Sequence, residues 1–129
     1  MGLDTGDPRV VFAVDTLRRA SEVSRTVQAE TENLGLTKSD ASPVTVADFA
    51  VQAIVARALM MTFPNAVLVG EESADALRNE ETGEVLGAVT KFVRTIYGDA
   101  RGDLICDWID AGNGEASGGF WTLDPIDGT

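Results

Sequence analysis

The chain has 129 residues, 44% apolar and 24% charged, which suits one ordinary domain with its own core and excludes a disordered tail or a two-domain chain. Lys and Arg number 10 against 21 Asp and Glu, a formal charge of -11, so phosphate backbones and anionic lipid are repelled and neither nucleic acid nor a membrane surface is an expected partner. With 0 His and 1 Cys, the chain cannot build a Ser-His-Asp or Cys-His centre, a His-ligated zinc site or an internal disulfide.

The N-terminal stretch is acidic and polar, and Gly6 stands where a myristoylation signal needs Ser or Thr. With no apolar export segment and a lone Cys106, the expected compartment is the cytoplasm. No apolar run is expected to reach the roughly 18 residues of a membrane span. Val10, Val11, Ala13, Val14, Leu17, Ala20, Val23 and Val27 recur at three- and four-residue steps behind Asp7-Pro8, which predicts an amphipathic helix from residue 8 to about 32. Residues 35–43 carry polar turn chemistry that ends in Pro43 and read as a loop.

A second helix is expected from Thr45 to about Thr62, burying Phe49, Ala50, Ala53, Ile54, Leu59 and Met60 and stopping before Phe63-Pro64. Residues 66–69 read as a short buried strand that delivers Gly70-Glu71-Glu72-Ser73 at its C-terminal end. After acidic residues 79–84, the spacing of Val85, Leu86, Val89, Phe92, Val93 and Ile96 predicts a helix with Gly98 as its cap. Residues 98–119 are weakly patterned. Their apolar clump at 104–109 fits a short strand or one helical turn equally well. Residues 120–123 are rich in β-formers and enter Asp124-Pro-Ile-Asp-Gly-Thr129. Helix, helix, strand, helix and strand in this order give an α/β layered fold class.

Both expected strands end in clustered carboxylates, Glu71 with Glu72 and Asp124 with Asp127. Crowded acidic oxygens need protons or cations to neutralise them, and Mg²⁺ takes carboxylate and carbonyl oxygen. Pro125 fixes a turn that lets Asp124 and Asp127 converge with the Ile126 carbonyl between them, and Gly128 lets a backbone N–H approach an anion. The ordinary alternatives are turn dipeptides at 124–128 and an acidified helix N-terminus at 71–72. Asp48 has its own alternative, because Thr45-Val-Ala-Asp48 matches a capping box. Lys38 and Asp40 alone are solvated loop charges, and Cys106 beside Trp108 reads as core.

Three segments taken together carry a resemblance. Lys38-Ser-Asp-Ala-Ser-Pro-Val-Thr-Val-Ala-Asp48, Val69-Gly-Glu-Glu-Ser73 and Trp121-Thr-Leu-Asp-Pro-Ile-Asp-Gly-Thr129 resemble, in order, the signatures of the lithium-sensitive, Mg²⁺-dependent phosphatases of the inositol monophosphatase superfamily. The Ser-Pro-Val-Thr loop, the aromatic before Leu-Asp-Pro and the long spacer from Glu72 to Asp124 look most like its 3'(2'),5'-bisphosphate nucleotidases. That resemblance implies an alternating helix and sheet sandwich, of which residues 1–129 would be a single incomplete, N-terminal portion of the domain. It implies a small phosphorylated nucleotide as substrate, adenosine 3',5'-bisphosphate going to AMP, with two or three Mg²⁺ ions.

The roles follow from the same resemblance. Glu71 and Asp124, with the Ile126 carbonyl, would hold a metal that activates water, and Asp124 and Asp127 a second that stabilises the leaving oxygen. Asp48 paired with Thr129 would orient and deprotonate the water. Gly128 and Thr129 would bind phosphate through their backbone, Glu72 would support the metal site, and Lys38 would sit on a loop closing over the metals. The alternatives are an inositol monophosphatase-type phosphatase and a catalytically inactive remnant that keeps part of the metal site.

Overall fold

The computed structural model describes residues 6–34, 43–80, 83–114 and 119–123. Its elements are α1 (Pro8–Leu34), α2 (Pro43–Thr62), β1 (Leu68–Val69), α3 (Asp75–Arg78), α4 (Glu84–Val93), α5 (Gly102–Asp110) and β2 (Trp121–Thr122). This mixture of helices around a small parallel sheet is the α/β class expected from the sequence.

The fold is organised around α2. Every side chain from position 46 to 59 is buried except Asp48 and Arg57, because α1, α4 and α5 all pack against this one helix. Such a helix needs apolar residues on all sides, so it lacks the polar face of a surface helix. The stretch Thr45–Thr62, with mean hydropathy 1.3, is therefore long and apolar enough by length and composition to cross a membrane, contrary to the sequence expectation. Asp48, Gln52 and Arg57 interrupt the run without lowering its mean much, and 61% of the stretch is buried inside the protein. Met60, expected in the core, lies at the exposed end of the helix.

The long helix α1 buries a narrower stripe than its pattern predicts. Thr16, Ala20, Val23 and Val27 face α2, whereas Val11, Val14 and Leu17 are exposed. The repeat holds two apolar faces in its first half, and only one can meet α2. Near its start Phe12 meets Phe63 and Trp121 edge-on at ring-centroid distances of 5.5 and 5.4 Å, and Phe63 stacks on Trp121 at 5.9 Å. This aromatic cluster ties α1, the exit of α2 and β2 together.

Within the sheet β1 is central. It pairs in parallel with β2, Leu68 opposite Trp121 and Val69 opposite Thr122, and forms an antiparallel bridge between Val69 and Asn113 on its other side. The parallel pairing makes both strands run out at the same end of the sheet.

Two expectations for the following helices are corrected. Helix α4 ends at Val93 with Arg94 as its cap, so Ile96 lies beyond it and Gly98 does not cap it. The end is made by the main chain itself, as the amides of Thr95 and Ile96 reach back three residues to Phe92 and Val93 and tighten the last turn. At its start Gly83 sits at φ 65, a left-handed conformation that suits glycine. The ambiguous clump at 104–109 is neither a strand nor a single turn but most of the nine-residue helix α5, which buries Ile105, Cys106, Trp108 and Ile109 and turns Asp103 and Asp107 outward.

Candidate active site

Leaving β1, the chain passes through Gly70, Glu71 and Glu72, as the sequence predicts. Three contacts from two segments distant in sequence fasten this loop. From α2 comes Gln52, 2% exposed: its Nε2 donates to the Glu72 carbonyl at 2.8 Å and to the Ile109 carbonyl at 2.8 Å, and its Oε1 accepts the Glu72 N–H at 3.0 Å. From the end of α5 comes Asp110, whose Oδ1 accepts the Ala74 N–H at 2.9 Å while Oδ2 takes Arg78 at 2.6 Å. The third is main chain, the Gly70 N–H donating to the Gly112 carbonyl at 2.7 Å.

Two glycines admit the Gln52 amide. A Cβ on Gly70 would stand 2.5 Å from Gln52 Oε1, and one on Gly112 would stand 2.6 Å from Nε2. Neither position takes a larger residue without displacing the amide.

Asp48 precedes Gln52 by four residues on α2, hence one turn away on the same face. The structure brings Asp48 and Glu71 each within electrostatic reach of Glu72. Burial pushes the Glu72 carboxyl above its ordinary range, and the negative charges of Asp48 and then Glu71 push it further the same way. Glu71 itself is exposed. The helix begins at Pro43, so Thr45 lies within the first turn and does not occupy the cap position that the capping-box alternative requires.

Among the described residues no group of three or more His, Cys, Asp or Glu is arranged to hold a metal ion on its own. Lys38, Asp124, Ile126, Asp127, Gly128 and Thr129 lie outside the described residues. The structure does show how the chain approaches them: the Leu123 N–H donates to the Val69 carbonyl at 3.2 Å, beside the start of the Glu71–Glu72 loop.

Cys106 is buried and its thiol is pushed up by desolvation, outweighing the nearby Arg78, so it belongs to the core as expected. An open, mainly apolar cleft of about 340 Å³ lies at the opposite end of the strands, lined by Arg9, Phe63, Pro64 and Trp121 among others. It takes no part in the carboxylate site.

Sequence reasoning did not single out Gln52 or Asp110. Gln52 did leave a signal, a carboxamide inside the otherwise apolar run 49–56, which is costly unless it is fully hydrogen-bonded. Asp110 left none, because its part depends on α5 being a helix.

The mixed α/β fold is consistent with that of a phosphatase family. The chain belongs to the inositol monophosphatase family, whose model matches residues 7–129. Its relatives include 3'(2'),5'-bisphosphate nucleotidase 2 of Candida albicans, 45% identical over 106 residues that cover 73% of this chain and 29% of that protein. The 3'(2'),5'-bisphosphate nucleotidase of Schizosaccharomyces pombe is 36% identical over 140 residues, 95% of this chain and 39% of that protein. That of Oryza sativa is 37% identical over 123 residues, 85% and 34% respectively. The chain thus spans about a third of the length of the curated relatives it matches.

Proposed function

We propose that this chain carries the acidic half of the active site of a Mg²⁺-dependent 3'(2'),5'-bisphosphate nucleotidase, which removes a phosphate from adenosine 3',5'-bisphosphate. The observation that carries this reading is that Asp48 and Glu71 both act electrostatically on Glu72 at the exit of β1, in a chain matched to the phosphatase family over residues 7–129. The donor set is all hard oxygen, and burial, together with the neighbouring charges of Asp48 and Glu71, raises the Glu72 carboxyl. A hard divalent cation suits it by offsetting the same charges, so the residues present fit Mg²⁺ in character.

Glu71, with Asp124, Asp127 and the Ile126 carbonyl, would hold the ions. Bound Mg²⁺ would supply charge neutralisation and Lewis acidity toward the phosphoryl oxygens. The other tasks fall to the chain's own groups. In a chain without His, the Asp48 carboxylate takes the proton of the attacking water, relayed through the Thr129 hydroxyl. The backbone N–H groups of Gly128 and Thr129 receive the phosphate oxygens. Glu72 supports the acidic loop, and Lys38 brings a positive charge to it.

The test is phosphate release from adenosine 3',5'-bisphosphate with and without Mg²⁺, by the native protein and by Asp124→Asn. Mg²⁺-dependent release that Asp124→Asn abolishes supports the reading. Release that survives the substitution refutes these roles, and a preference for inositol 1-phosphate moves the substrate to the inositol class.

A further inference from the structure

We propose that Gln52 is a positioning residue for the carboxylate site, its side-chain amide setting where the Glu71–Glu72 backbone stands relative to Asp48. The inference rests on the Mg²⁺ reading given above.

A buried glutamine needs partners, and this one uses all of its bonds on main chain. It holds both the N–H and the C=O of Glu72, and it is itself anchored on the Ile109 carbonyl. A residue whose N–H and C=O are both held cannot turn either adjoining peptide plane, so the amide sets the direction in which the Glu72 Cβ leaves the backbone and fixes one of the two planes that flank Glu71. Because Asp48 sits one turn earlier on the same helix, Gln52 acts as a spacer between one carboxylate and the other two. Mere filling of the core would not require this arrangement. An aliphatic side chain of similar size would fill the volume, yet the chain places glycine at both 70 and 112 and so lets two backbone segments lie directly on the amide.

The experiment uses the whole 129-residue chain and three substitutions. Gln52→Met keeps length and removes every hydrogen bond, Gln52→Glu keeps shape and the acceptor for the Glu72 N–H, and Val27→Ala is a core control on α1 away from the loop. Mg²⁺ affinity is measured by titration calorimetry with MgCl₂, exchange of the Glu72 amide by NMR in EDTA, and stability by thermal melting. Gln52→Met is expected to weaken Mg²⁺ binding about tenfold or more and to expose the Glu72 amide in EDTA, while Val27→Ala stays within about twofold of native affinity despite its lower Tm.

Native affinity in Gln52→Met, or an equal loss in Val27→Ala, overturns the proposal. Should Gln52→Met fail to fold, Gln52→Glu decides by the same criterion: weakened Mg²⁺ binding supports the proposal and native affinity overturns it. A native chain that takes up no Mg²⁺ overturns the metal reading first and this role with it, which separates the two failures.

Discussion

Asp110 accepts the backbone N–H of Ala74 at 2.9 Å, fastening the C-terminal end of α5 to the loop that carries Glu71 and Glu72. Ala74 is fully buried, so removing its acceptor leaves an amide without a partner. Asp110→Ala is expected to destabilise the chain by about 1–3 kcal/mol in urea unfolding, and Asp110→Asn, which keeps an acceptor, by less.

The same residue gives a pH signature. Burial works against its charged form, but the Ala74 amide and the Arg78 guanidinium prevail and hold its carboxyl below the usual range. The folded value lies under the unfolded one of about 3.9, so the stabilisation is present above that pH and is lost as pH falls through the folded value. Asp110→Asn should remove this acid-limb loss, read as a flatter urea midpoint between about pH 4 and pH 2.

Glu72 has the opposite sign. Its folded carboxyl titrates above the unfolded value of about 4.3, so the folded state binds the extra proton and stability falls as pH rises through that window. In EDTA, Glu72→Gln should melt higher than native at pH 7. The gap should close as the native chain is acidified below the unfolded value. A Glu72→Gln variant that melts lower at pH 7 would contradict the placement of this carboxyl.

Crowding at the amide predicts the cost of a single methyl group. Gly70→Ala puts a Cβ 2.5 Å from Gln52 Oε1, an atom held by its own hydrogen bond and not free to swing away. A loss on the order of 1–3 kcal/mol is expected, as for other overpacked interiors. Gly87→Ala, on the open face of α4, has no atom within 4 Å of the added group and should be neutral or mildly stabilising.

Cys106 tests the packing of α5. Buried, and with its thiol pushed up by desolvation, it should react with a thiol reagent at least about tenfold more slowly in buffer than in urea. Equal rates would mean that α5 does not stay packed on α2.

Much of the fold was legible wherever one physical signal dominated. The start of α1 and the end of α2 followed from three- and four-residue spacing bounded by Pro8 and by Phe63-Pro64, and the strands from β-formers placed before acidic turns. Helix α2 instead takes in Pro43 and Val44, ahead of the expected start at Thr45, because Pro is well suited to a helix's first turn. Legibility failed where a segment could satisfy two periods. Leu104, Ile105 and Cys106 in a row suggest a strand, and only the addition of Trp108 and Ile109, buried against the interior, makes the helical spacing decisive. The exposed Val11, Val14 and Leu17 show the converse, since apolar spacing names candidate faces and the neighbour, here α2, selects one. At the site, Asp48, Glu71 and Glu72 could be read from motifs. What holds them could not, because Gln52 bonds to Ile109 across 57 positions and Asp110 to Ala74 across 36.

The Gln52 amide lying against Gly70 and Gly112 also bears on how such a sequence can drift. Neither glycine can gain a side chain while residue 52 keeps its length, and a shorter residue at 52 would leave a hole over both. Substitutions at positions 52, 70 and 112 are therefore expected to be non-additive, each altering the cost of a change at the others.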